Sequence, residues 1–171
     1  MELGKASNLY SLNKSTYVNL RWIAYTGQLI AILTVQFILE YNFDYFICIA
    51  ILLLSILTNI YLQFRIKTNP LNNNISTIYL SFDILQLAIL FYFTGGITNP
   101  FIFLIIIPAV FSAQYLYFLN SIALVAIITI MLIFLTFFYR DLPHPGELHF
   151  HAPDFYLYAI PLSIIIGLFF F

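Results

Sequence analysis

A polar stretch, T-G-G-I-T-N-P-F at residues 94–101, interrupts a chain that is otherwise almost wholly apolar. Its glycines, Gly95 and Gly96, permit positive φ angles and let a ligand approach the backbone closely. Pro100 has no N–H and disfavours a helical conformation at Asn99, so we expect some backbone N–H groups of this loop to stay free. The Asn99 amide adds two hydrogen-bond donors and one acceptor.

Aromatic rings flank this stretch, because Tyr92 and Phe93 precede it and Phe101 ends it. Flat apolar faces beside amide donors suit a flat, lipid-soluble ligand with carbonyl acceptors, such as a quinone. The alternative is a plain turn between two membrane helices, since Gly-Gly and Asn-Pro are common in tight turns. Taken without any resemblance, these residues favour the turn.

Asp83 is the only acidic residue inside a predicted helix, and Gln86 follows on the same helix face. A carboxyl group in a membrane is costly and usually faces the interior of a helix bundle. Asp83 lies about 18 Å along the helix axis from Gly95, so we expect it not to contact a ligand held at the loop. It is either a coupling element whose partners change when the bundle rearranges, or a structural carboxyl paired with another helix, with Arg21 or with Arg65.

The histidines His144, His149 and His151 lie in one predicted outer loop with Glu147. His149, His151 and Glu147 could bind a divalent metal weakly. A solvated loop fits better, because no ligand set with zinc spacing is present. No histidine lies inside a predicted helix, so we expect neither a haem nor a metal. The sequence contains no recognisable catalytic motif, and we assign no catalytic residue.

Six apolar segments position these residues, at 20–39, 45–64, 75–93, 101–117, 119–139 and 155–171, the fourth with a kink at Pro108. Apolar residues make up 63% of the 171 residues and charged residues only 8%, whereas a soluble domain needs about a quarter charged. The segments are apolar on every side, and in lipid the backbone of such a segment must pair with itself. The predicted fold is an all-α membrane protein, a bundle of six transmembrane helices. No basic stripe suggests a nucleic-acid partner.

The positive charges predict the orientation of this bundle. If the helices alternate, one side of the membrane carries Lys5, Lys14, Arg21, Arg65 and Lys67. Only Arg140 lies on the other side, so we expect a cytoplasmic amino terminus and an outer loop at residues 94–101. We divide the chain into a cytoplasmic tail at residues 1–19 and a transmembrane domain at residues 20–171. No polar flank follows residue 171, so we expect a truncated last helix and a missing cytoplasmic part.

The stretches L-R-W-I-A-Y-T-G-Q, D-I-L-Q-L-A-I-L-F-Y-F-T-G-G-I-T-N-P-F and P-A-V-F-S-A resemble the membrane domain of RegB/PrrB-type sensor histidine kinases. These are redox-responsive kinases of bacterial two-component systems. The family pattern G-G-x-x-N-P-F is met by Gly95, Gly96, Asn99, Pro100 and Phe101. The resemblance implies a sensor domain in the bacterial inner membrane that binds ubiquinone at these residues. Asp83 and Gln86 are then candidate coupling residues.

The resemblance also implies a homodimer in lipid whose cytoplasmic kinase passes a phosphoryl group to a response regulator. The kinase part of that family is not on this chain, and Cys48 lies in a predicted helix rather than matching the family's cytosolic cysteine. We therefore expect a redox sensor without its kinase. With the resemblance, the loop is interpreted as a ligand site.

Two alternatives to a sensor stay open. A small transporter or channel subunit would use ionisable groups such as Asp83 near the membrane midplane. A ligand-free assembly protein would pack through polar side chains. Gln28 and Gln36 in the first segment are expected to join helices in this way.

Overall fold

The computed structural model describes residues 12–38, 40–41, 43–140 and 154–168. These residues form six α-helices: α1 (Lys14–Phe37), α2 (Tyr45–Arg65), α3 (Asn73–Phe93), α4 (Ile107–Tyr115), α5 (Phe118–Phe137) and α6 (Asp154–Leu168). Two short 3₁₀-helices, Gly96–Thr98 and Ile102–Ile106, lie between α3 and α4. The predicted all-α fold, with a helix in each of the six apolar segments, is confirmed.

Three of the described helices, α2, α3 and α5, are long and apolar enough to cross a membrane. The helix α1 has 24 residues, but Arg21 and the threonine and glutamine side chains lower its hydropathy. Shorter apolar helices occupy Ile102–Tyr115 and Tyr156–Leu168. A multi-pass helical membrane protein is therefore confirmed, whereas six complete spans stay a prediction.

The first helix begins earlier than the apolar pattern predicts, because Asn13 caps it. The Asn13 Oδ1 accepts hydrogen bonds from the backbone N–H groups of Ser15 at 3.0 Å and Thr16 at 3.5 Å. At the fourth segment the helix changes from 3₁₀ to α next to Pro108, and the kink predicted there stays a prediction. Pro108 lies in the first turn of α4, directly after a 3₁₀-helix, where a missing N–H leaves no helical hydrogen bond unmade.

Contacts between helix ends agree with alternating helices. The Lys14 Nζ at the start of α1 donates to the carbonyls of Gln63 at 3.0 Å and Ile66 at 2.6 Å, beside the end of α2. At the opposite end Asp44, before α2, forms an exposed ion pair with Arg140, after α5. The ends that the sequence places on one side of the membrane thus lie together.

The core lies mainly between α3, α4 and α5, where Ile84, Ile105, Leu124 and Ile128 are fully buried. The helix α5 packs against α3, α4 and α6, while α1 packs along α2. Large apolar side chains such as Phe46 remain exposed on the outside, as expected for a surface that faces lipid. The helix α1 packs mainly along α2, and space is left between part of α1 and α3.

Candidate functional site

A cavity of about 450 Å³ occupies the space between α1, α3 and residues 99–111. Its volume lies within the range of about 300–1,000 Å³ that is usual for small-molecule sites. On α3, the lining residues Leu80, Asp83, Leu87 and Leu90 recur every three or four positions and so form one helix face. The walls are mostly apolar, with polar side chains at a few places.

The predicted ligand loop forms one end of this cavity. Asn99, Pro100 and Phe101 line it together with Thr94, the residue that ends α3. Phe101 is 45% exposed, so its side chain is not fully covered by the protein. These three loop residues are where the sequence predicts a site, and the structure places them on a cavity wall.

The two glycines of the loop do not line the cavity. Gly95 and Gly96 are buried and have φ angles of 99° and 58°, a region that favours glycine. A Cβ atom at Gly96 would overlap the side chain of Tyr139, which follows α5. In this structure the glycines make the turn and allow its close packing against the end of α5.

The Asn99 amide is used inside the loop. Its nitrogen donates to the carbonyl oxygen and to the hydroxyl oxygen of Thr94, at 2.9 and 2.8 Å. Its oxygen accepts from the N–H of Phe101 at 2.8 Å. The Thr94 hydroxyl in turn donates to the Leu90 carbonyl at 2.9 Å. Asn99 therefore closes the loop, and neither amide proton is left for a ligand.

Several backbone N–H groups of the loop are also engaged in hydrogen bonds. Those of Thr94, Thr98, Asn99 and Ile102 donate to nearby carbonyls at 3.0 to 3.3 Å. The expectation of free N–H groups is wrong for these residues and for Phe101. The two 3₁₀-helices explain the difference, because they satisfy backbone donors locally.

A buried ion pair marks the other end of the cavity. Arg21 on α1 and Asp83 on α3 approach to 2.8 Å, and their side chains are only 4% and 14% exposed. The Tyr17 hydroxyl also donates to Asp83, and Arg21 donates to Thr58 on α2 at 2.9 Å. Of the two cations that the sequence offers as partners, the structure pairs Asp83 with Arg21.

Aromatic rings surround the Arg21 guanidinium group. Its central carbon lies 5.5 Å from the ring centroid of each of three tyrosines, Tyr17, Tyr25 and Tyr79. Such cation–π contacts stabilise a cation that has lost its water. The charge of Arg21 is thus balanced by a carboxylate and sheltered by rings.

A pair of amides lies between the two ends. The Gln86 Nε2 donates to the Gln28 Oε1 at 2.8 Å, so the prediction that Gln28 joins helices is confirmed. Both residues line the cavity, and Gln86 shares the Asp83 face as their spacing predicts. Sequence reasoning did not assign Arg21 and Gln28 to the ligand site. The signal in the sequence was their spacing of seven residues, about two helical turns, which places both side chains on one face of α1.

The histidines of the suggested metal loop lie outside the described residues. Within the ranges that are described, no group of three or more histidine, cysteine, aspartate or glutamate side chains could hold a metal ion. Cys48 is fully buried beside Ile32 and Leu90.

The PilS-like transmembrane domain matches residues 23–170 of the chain. The chain belongs to this family. A curated relative, sensor histidine kinase RegB of Cereibacter sphaeroides, is 31% identical over 156 residues, which cover 91% of this chain and 34% of the relative. The chain thus spans about a third of the length of that relative. No solved structure matches it.

This PilS-like domain is related to the RegB sensor histidine kinase, as the resemblance indicates. Its cavity runs about 16 Å along α3 from Asp83 to Thr94. An ion pair lies at one end, an amide pair lies between, and a turn with an exposed aromatic ring lies at the other end. Apolar walls with a few polar groups suit the binding of a flat apolar molecule that carries hydrogen-bonding substituents.

Proposed function

We propose that this chain is the redox-sensing membrane domain of a two-component sensor histidine kinase, and that it binds ubiquinone in the cavity between α1, α3 and α4. The observation that carries the proposal is the position of Asn99, Pro100 and Phe101 on the wall of that cavity. These residues belong to the G-G-x-x-N-P-F pattern, and the cavity beside them has the size and the apolar walls that a quinone needs.

The kinase context is part of the same proposal. The domain spans the bacterial inner membrane several times with its amino terminus in the cytoplasm, and it forms a homodimer. A cytoplasmic kinase domain, which these residues do not contain, transfers a phosphoryl group to a response regulator. Family membership and the relation to a sensor histidine kinase support this role.

Ligand binding is transmitted to the kinase by a change in the distance between α1 and α3. A ligand shifts such a bundle only by its differential affinity for two arrangements. Asp83 and Gln86 are the coupling residues in this proposal, because each bridges α3 to α1 across the cavity. A ligand that moves α1 away from α3 must lengthen or replace these contacts.

Photocrosslinking tests the quinone site. An azido-ubiquinone is irradiated with the purified chain in lipid, with and without excess ubiquinone, and adducts are mapped by mass spectrometry. We expect a competed adduct on the cavity wall that is lost in Phe101→Ala. The control is Phe103→Ala, because Phe103 is similarly exposed, at 54%, but does not line the cavity. Uncompeted adducts spread over lipid-facing residues would contradict the proposal.

We do not propose a transporter. The ionisable residue on which that alternative depends, Asp83, is engaged in an ion pair with Arg21. No specific observation within the described residues favours ion flux.

A further inference from the structure

We propose that the Gln28–Gln86 amide pair supplies the hydrogen bond that holds a ring carbonyl of the ligand. This inference rests on the proposed quinone-binding function and moves the donor from the loop to the middle of the cavity. It makes Gln28 the ligand-binding residue and Gln86 the residue that positions it.

The first step is that the loop end of the cavity has its donors in use. Both amide protons of Asn99 go to Thr94, and the Thr94 hydroxyl donates to Leu90. Pro100 has no N–H, and the Phe101 N–H donates to Asn99. A ligand carbonyl at this end would have to break one of these bonds, and an unpaired group in an apolar site is costly.

The second step is that Gln28 retains a donor. Its oxygen accepts from Gln86, which fixes the orientation of the amide. Its nitrogen makes no hydrogen bond to any other described residue, and Gln28 lines the cavity. A primary amide nitrogen carries two N–H donors and no acceptor, so this group fits a carbonyl oxygen.

The third step is the position of the pair. Gln86 lies about 12 Å along α3 from Thr94 and about 4.5 Å from Asp83. Apolar lining residues, including Ile32, Leu87 and Leu90, lie at or near this level. A carbonyl held at Gln28 therefore places a flat ring among apolar side chains. Phe101 and Pro100 then contact the part of the ligand that lies toward the loop.

The ligand class follows from this chemistry. It is an apolar ring that carries at least one carbonyl acceptor, of which a benzoquinone is the proposed case. A hydrocarbon ring of the same shape would fill the cavity but leave the Gln28 donor unpaired. The difference between these two ligands isolates the hydrogen bond from the packing.

The experiment uses competition against the azido-quinone adduct in lipid. The competitors are a short-chain ubiquinone and its carbonyl-free ring analogue. For the unchanged chain we expect the quinone to compete about fivefold better, the effect of one net hydrogen bond. Gln28→Leu should abolish this preference, and Gln86→Leu, which leaves Gln28 unoriented, should reduce it.

The control is Gln114→Leu, because Gln114 on α4 is exposed and outside the cavity. It should keep the preference, and both variants should still unfold cooperatively on heating, which shows that a preference lost in Gln28→Leu is not a loss of the fold. If Gln28→Leu keeps the preference and Asn99→Asp loses it, the donor is in the loop, and the inference fails while the quinone site stands. If the unchanged chain gives no competed adduct, both the inference and the proposed function fail.

Discussion

Arg21 and Asp83 join α1 to α3 across a cavity, with Arg21 Nη2 2.8 Å from Asp83 Oδ1 and both side chains largely buried. The helix α1 packs mainly along α2, although its residues Tyr17 and Val18 also belong to the main buried core. This ion pair and the Gln28–Gln86 hydrogen bond link α1 to α3 across the cavity, while Ile32 on α1 and Leu90 on α3 belong to one buried apolar cluster with Cys48. Polar bridges of this kind can be rearranged by a ligand in a way that a packed interface cannot.

Removing one partner of the ion pair should destabilise the fold strongly. We expect Asp83→Ala to lower the free energy of unfolding by about 3 kcal/mol, because it leaves the Arg21 charge buried and unpaired. Unfolding in detergent, followed by circular dichroism, measures the change. The double variant Arg21→Met with Asp83→Leu should recover most of the loss, since it removes both charges.

The exposed Asp44–Arg140 pair provides the matched control for that measurement. Their side chains are 49% and 56% exposed, so Asp44→Ala should change stability by less than about 1 kcal/mol. A double variant at Arg21 and Asp83 that is no more stable than Asp83→Ala would contradict the argument.

Gly96 should not tolerate a side chain. Its φ of 58° and the overlap of an added Cβ with Tyr139 predict that Gly96→Ala costs about 2 kcal/mol or more. Gly27 is the control, because nothing lies within 4 Å of an added Cβ there and alanine favours a helix. Gly27→Ala should leave thermal stability unchanged or slightly higher. Equal losses in the two variants would show that the turn does not need glycine.

Asn99 should stabilise the loop even when no ligand is present. Asn99→Ala removes three side-chain hydrogen bonds, worth about 1 kcal/mol each, and should increase hydrogen exchange at residues 94–102 in ligand-free protein. Asn74→Ala, at an exposed asparagine on α3, should leave exchange at this loop unchanged. If the two variants exchange alike at the loop, Asn99 does not close it.

The orientation in the membrane can be tested by cysteine labelling. The chain has one cysteine, Cys48, which is buried. Cys48→Ala therefore gives a background without any thiol that a maleimide could label. In intact cells whose outer membrane is permeabilised, a membrane-impermeant maleimide should label Thr98→Cys in the loop. It should label Lys67→Cys only after lysis, since that residue belongs to the positively charged side. The reverse pattern would show that the amino terminus is outside.

The sequence alone was sufficient to predict the helices and the turn. A long apolar run in lipid must pair its own backbone donors and acceptors, so helix formation depends on local composition, and the described residues form a helix in each predicted segment. Two consecutive glycines predict a turn for an equally local reason, and both have positive φ angles. The inward face of α3 also followed from spacing, because Asp83 and Gln86 both line the cavity.

Which polar groups are available to a ligand was decided only by the tertiary structure. Asn99 has the donors that a quinone requires, but Thr94 takes both of them, and the sequence cannot show whether a donor is already in use. Gln28 is hydrogen-bonded to Gln86, which lies 58 residues later in the chain. The ion pair of Arg21 with Asp83 likewise joins two residues that are distant in sequence. The hydrogen bonds of a buried polar group depend on the atoms that folding places within about 3 Å, and for groups on different helices this depends on how the helices pack.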